Sequence, residues 1–117
     1  MAIIVNTANP KSLLSEIKQA IADSKIVTWS CDGQGDFSHT AEQWKYHAWF
    51  RAKIEESRLV FNTVPPKGKV ISRVDYGVYH GRFIEMLLSH FDERFRDASA
   101  TAMPSSGDVI RSRTAPE

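Results

Sequence analysis

Apolar residues recur every three to four positions from Leu13 to Ile21, every second position from Trp44 to Ala52, and every three to four positions again from Tyr76 to Phe95. The first and last patterns are those of amphipathic helices, and the middle one is that of a half-buried strand. Asn9 and Pro10 suit the start of the first helix, where a missing backbone N–H costs nothing. We place that helix at about residues 10–23, ending in Asp23-Ser24. Lys25–Cys31 is rich in β-branched and aromatic residues and reads as a strand. Asp32-Gly33-Gln34-Gly35-Asp36 reads as a turn opening a loop that runs to about Glu42, anchored by Phe37. In Gln43–Lys53, Trp44, Tyr46, Ala48, Phe50 and Ala52 fall on one face, and Lys45, His47, Trp49, Arg51 and Lys53 on the other. Ser57–Val64 returns as a strand, Pro65-Pro66-Lys67-Gly68 turns the chain, and Lys69–Ser72 makes a short fourth strand. Ile3–Val5 reads as an edge strand or a packed arm.

Ser72-Arg73-Val74-Asp75 resembles a capping box, with Asp where Glu is usual. The second helix then extends to about Asp97. Its apolar arc spans roughly 220°, about twice the stripe of an ordinary surface helix. The arc includes Tyr79, Phe83, Met86, His80 and His90, and a line formed by Gly77, Gly81, Ile84 and Leu88. One sheet face does not account for so wide an arc. The flank carrying Tyr79, Phe83 and Met86 is therefore expected to meet the first helix or a second copy of the chain. Two glycines on one helical line imply close approach by a bulky neighbour, since each costs about 1 kcal/mol relative to alanine.

The element order α-β-β-β-(β)-α implies an α+β fold in two layers. It predicts an antiparallel meander of three to four strands with the N-terminal and C-terminal helices on one face. Residues 1–97 make a single domain. Residues 98–117 lack periodicity, are rich in Ser, Ala, Thr and Pro, and are expected to be a disordered tail.

Apolar residues make up 42% of the 117 and charged residues 25%, which suits one globular core. The net charge of +1 excludes a global basic field, but its distribution is uneven. Residues 44–73 hold seven Lys and Arg against two Glu, a balance of +5, while residues 31–43 hold three acids and no base, a balance of −3. The single cysteine, Cys31, excludes an intrachain disulfide and a cysteine zinc site. No stretch resembles a signal peptide or a membrane span, so a cytoplasmic location is expected, with no membrane partner.

Three constellations invite a chemical reading. The basic strand face, Lys45, His47, Trp49 and Arg51 with Arg58 beside it, combines phosphate-binding cations with a base-stacking ring. Such residues are also ordinary on the wet side of a sheet. Asp36, His39 and Glu42 in the acidic loop suit acid–base work of a hydrolase type, but no spacing matches a metal loop, and neither a metal nor a cofactor is expected. Their plainer role is turn chemistry. His80 and His90 lie ten residues apart, about 15 Å along a helix, and cannot share a metal. There is no nucleophile elbow, P-loop or dinucleotide fingerprint. The sequence thus leads to a non-catalytic interaction module, possible as a homodimer or with another protein. A small nucleic-acid-binding domain ranks second and a small enzyme third.

Overall fold

The computed structural model describes residues 2–103. They form strand β1 (Ala2–Asn6), helix α1 (Pro10–Ala22), strands β2 (Trp29–Cys31), β3 (Asp36–His39), β4 (Trp49–Glu55) and β5 (Arg58–Val64), helix α2 (Arg73–Phe91) and strand β6 (Asp97–Ala100). The strands make one antiparallel sheet in the order β2-β3-β4-β5-β1-β6. The fold is α+β and two-layered, as the sequence predicts, but with six strands rather than three or four. No helix among the described residues is long and apolar enough to cross a membrane.

The register explains the layers. Ile3 pairs with Phe61 and Val5 with Leu59, while Ala52 lies opposite Phe61 and Phe37 opposite Phe50. These side chains therefore project from the same face, because side chains alternate along each strand. Leu13 and Ile17 of α1 join them in one core with Tyr79, Phe83 and Leu87 of α2. Both helices thus cover a single face. α1 lies over the β4–β5 hairpin tip, with Pro10 and Ser12 beside Ile54 and Glu55. α2 is ringed by aromatic side chains: Phe83 lies with its ring centroid 4.6 Å from Phe61, 4.9 Å from Trp29 and 5.0 Å from Phe50.

Tyr79, Phe83 and Met86 are buried within the single chain, in the same core cluster as Leu13 and Ile17 of α1. The rings of Trp29, Phe37, Phe50 and Phe61, from β2 to β5, surround Phe83 at the middle of that wide apolar arc.

Boundaries moved where tertiary bonds outweighed local pattern. Residues 42–46 are turns, not strand, although their apolar residues alternate. Trp44 N–H and Lys45 N–H both donate to Ala41 O, at 2.9 and 2.8 Å. Tyr46 sits at φ 61°, a left-handed conformation uncommon outside glycine. The buried Ser38 hydroxyl holds this turn, accepting from Tyr46 N–H at 3.2 Å and donating to Ala48 O at 2.9 Å. Tyr79 O–H donates to Trp44 O. Asp36–His39, expected as loop, is a strand, with Thr40 N–H on Thr28 O extending the β2–β3 hairpin. Lys69–Ser72 is not a strand but the lead into α2, whose cap is as expected: the Ser72 hydroxyl accepts from Asp75 N–H at 3.0 Å. Asn9 precedes Pro10 at the start of α1 without a side-chain cap bond.

α2 stops at Phe91 rather than near Asp97. Arg94 N–H returns to Phe91 O, and Thr7 O–H takes Arg94 O, so the chain turns beneath β1. It then enters β6, which pairs with β1. Residues 97–100, where a disordered tail was expected to begin, are therefore an edge strand. Residues 104–117 of that expected tail lie outside the described residues. Ile3–Val5, read as an edge or an arm, is inside the sheet, flanked by β5 and β6.

Candidate functional site

The sheet face opposite the helices carries part of the basic row. Arg51 on β4 meets Asp36 on β3 with two parallel bonds, Nε to Oδ1 at 3.0 Å and Nη2 to Oδ2 at 2.8 Å. Asp36 is buried and holds Arg51 as a structural cation; this bond raises the Arg51 pKa further above its ordinary value. Lys53 and Arg58 both pair with Glu55. Lys45 and His47 are not in the row at all. They stand on the turn before β4, where Lys45 Nζ lies 5.2 Å from the Tyr46 ring centre and His47 Nδ1 lies 2.8 Å from Asp75 Oδ1 at the start of α2. Trp49 is stacked on Tyr46 at 5.9 Å and 12°. Of the five residues expected in a basic platform, three are tied to carboxylates on the sheet face or beside it, one caps a turn, and Lys45 covers a ring.

The acidic constellation is also divided. Asp36 projects to the open face, His39 to the helix-covered face, and Glu42 stands exposed on the turn. Odd and even positions of one strand point opposite ways, so Asp36 and His39 cannot act on one substrate atom. Among the described residues no group of three His, Cys, Asp or Glu is placed to hold a metal ion. Burial and nearby Asp32 and Asp36 raise the Cys31 thiol pKa against the opposing pull of Lys18, which leaves it a poor nucleophile.

Two features stand out instead. The first is the outer side of α2. Gly77 and Gly81, expected to admit a bulky neighbour, are exposed, and a methyl group added at either would meet nothing within 4 Å. They belong to a line formed by Val74, Gly77, Gly81, Ile84 and Leu88, in which Val74 is 63% and Leu88 55% exposed. The line adjoins β6, because α2 runs beside β1 and β6 and Tyr76 O–H donates to Ala102 O just past the strand. Among the described residues β6 is an edge of the sheet, and its residues are small: Asp97, Ala98, Ser99 and Ala100. It has no lysine or proline within it to discourage further pairing.

The second is a cleft of about 160 Å³ between β2, the end of β3 and the opposite flank of α2, lined by Thr28, Trp29, His39, Arg82, Glu85, Met86, Ser89 and His90. His39 is buried, its ring edge-on to Trp29 at 5.1 Å. Its Nδ1 accepts from Ala41 N–H at 3.0 Å, which assigns the proton of the neutral ring to Nε2. Arg82, Glu85 and Ser89 come to this cleft from the polar side of α2.

His39 carries a pH signature. Burial lowers its pKa from 6.5, Arg82 lowers it further, and Glu85 opposes them. Below about pH 6.5 the unfolded chain takes up a proton that the folded chain resists, so stability falls as pH drops through that window. Urea midpoints measured between about pH 7.5 and 5 are expected to decline, and His39→Gln to flatten part of that slope. Equal slopes for the two proteins would contradict this account of His39.

Comparison with family models, curated proteins and solved structures found no match to this chain.

Proposed function

We propose that this chain is a non-catalytic interaction module that acts as a symmetric homodimer, joined through β6 and the outer line of α2. The observation that carries the reading is the continuity, among the described residues, of a strand edge with an exposed apolar helix line on the same side of the molecule. Residues 74, 77, 81, 84 and 88 follow the three-four spacing of a helix–helix seam, and the glycines allow two backbones to approach closely.

One two-fold axis perpendicular to the sheet serves both parts. It sets β6 antiparallel to β6 of the second copy and continues the sheet across the join. The same axis sets the two α2 helices side by side and antiparallel, crossing near Gly81. Val74 of each copy then meets Leu88 of the other, and Arg73 at one end approaches Asp92 of the other copy. A two-fold interface needs this self-complementarity of a single patch. The nucleic-acid reading has less support, because Arg51, Lys53 and Arg58 are already paired with carboxylates. The lone cysteine suits a reducing compartment, and we assign the module to the cytoplasm on that ground.

Val74→Lys combined with Leu88→Lys tests the reading. Both positions are exposed in the single chain, so the folded protomer is expected to persist, seen as unchanged near-ultraviolet circular dichroism. Sedimentation velocity is expected to show the dimer of the native chain replaced by monomer. A double variant that sediments as the native chain does would overturn the proposed seam.

A further inference from the structure

Trp49, the first residue of β4, pairs with Val64, the last of β5, so the turn before β4 and the loop after β5 leave the sheet at the same end. His47 Nδ1, 2.8 Å from Asp75 Oδ1, ties that turn to the start of α2. Tyr46 stands in the turn, 56% exposed and stacked on Trp49. Its φ of 61° is costly for a residue other than glycine and persists only where the surroundings enforce it. Here they do: Ser38 Oγ accepts from Tyr46 N–H, and the Tyr79 hydroxyl donates to Trp44 O. An unfavourable backbone angle is thus fixed with a large ring held in the open. The surrounding charge is basic. Lys45 in the turn and Lys67 and Lys69 in the loop are exposed and enter no ion pair among the described residues. The carboxylates on these segments are Glu42 and Asp75, and Asp75 is already held by His47.

We propose that this end of the sheet binds single-stranded nucleic acid, with a base stacked on the Tyr46–Trp49 pair and neighbouring phosphates on Lys45, Lys67 and Lys69. Exposed aromatic rings and unpaired cations are the two parts such a site needs, because every base has a π-face and every nucleotide a negative charge. Lys45 Nζ, 5.2 Å from the Tyr46 ring centre, rests on that ring in the free protein, and an incoming base displaces it toward the phosphate. Arg51, Lys53 and Arg58 take no part, because their carboxylate partners neutralise them. A duplex keeps its bases inside the stack, and an acidic peptide offers charge without a base. Binding here does not require the dimer, whose seam lies on β6 and the outer line of α2.

The test is fluorescence anisotropy of a labelled oligoadenylate of about ten nucleotides, titrated with the full-length chain at low salt. The competitors are an abasic strand of the same length, the corresponding duplex and polyglutamate. Saturable binding that weakens with added salt is expected. The abasic strand is expected to compete less well by about tenfold or more, the consequence of losing the stacked base. The duplex and polyglutamate are expected to compete weakly. Tyr46→Asn is expected to weaken binding by about tenfold. Asparagine tolerates the left-handed backbone, so the turn persists and thermal melting stays unchanged. The abasic strand tests stacking without any substitution. Lys67→Ser combined with Lys69→Ser is expected to weaken binding and to lower its salt dependence. Lys53→Ser, at a residue paired with Glu55, is expected to change it by less than about twofold. No binding at low salt would overturn the proposal. So would an abasic strand, duplex or polyglutamate that competes as well as the oligoadenylate, or a folded Tyr46→Asn protein that binds as the native chain does.

Discussion

Phe83→Ala is expected to lower the stability of the folded chain by about 3–5 kcal/mol, read as a shift in the urea unfolding midpoint. Phe83 is fully enclosed and touches four other aromatic rings, Trp29, Phe37, Phe50 and Phe61, which come from four different strands. Those rings are fixed in turn by their strands and cannot collapse into the space, so the variant loses both the transfer energy of the ring and the contacts around the void. Phe83→Glu is expected to be worse. It leaves a carboxylate among rings with no cation placed to pair with it, and the chain should fail to fold. Phe83→Ala with a cost below about 1 kcal/mol would mean that α2 does not sit in this aromatic cup.

Ending the chain at Arg96 is expected to cost roughly 3 kcal/mol, from the loss of several backbone hydrogen bonds at about 0.5–1.5 kcal/mol each and of apolar cover for β1. The cut removes the β1–β6 ladder, in which Val5 faces Ala98 and Ile3 faces Ala100. It also removes Thr101, which exchanges bonds with Ala2: Ala2 N–H reaches Thr101 Oγ1 at 2.9 Å, and Thr101 N–H reaches Ala2 O at 2.8 Å. Ile3 and Val5, both fully buried, would then lie on a bare edge. A chain ending at Met103 keeps all of these bonds and serves as the reference in thermal denaturation. Equal melting temperatures for the two truncated chains would show that β6 contributes nothing. Trimming near residue 100, harmless if a disordered tail begins at 98, is instead expected to reach into this pairing.

Some of this fold was plain in the amino-acid order. α1 is legible because Leu13 and Ile17 mark its buried row and Pro10 its start. The β4–β5 hairpin is legible from Leu59 and Phe61 in alternation with Arg58 and Val60, and the Ser72 cap from its hydroxyl three residues before Asp75. Other elements depend on partners far away in sequence. β3 holds one apolar residue, Phe37, among Asp36, Ser38 and His39, and its polar residues are buried only because Arg51, Ala48 and Ala41 meet them. β1 is a five-residue strand whose apolar run is too short to show whether one or both of its edges are paired. The alternation at Trp44 to Ala48 is real, yet Ser38 and Tyr79 bond its backbone into a turn. β6 is four small residues with no pattern to read.

The candidate sites divide in the same way. Gly77 and Gly81 were conspicuous in sequence, but only the structure shows that the space beside them is open. His39 was conspicuous as a companion of Asp36 and Glu42. Its actual neighbours, Arg82, Glu85 and Ser89, recur at three and four residues along a polar helix flank, a spacing that any solvated helix also has.

In the proposed homodimer two copies join β6 to β6 under paired α2 helices. Isotope-filtered NMR on an equimolar mixture of labelled and unlabelled chain tests it most directly, because only contacts between copies give signals. The account predicts cross-peaks between Ala98–Ala100 of one copy and the same strand of the other, together with contacts from Val74 to Leu88 across the join. A spectrum with no contacts between copies, or with contacts only from the Tyr46–Trp49 side of the sheet, would contradict it.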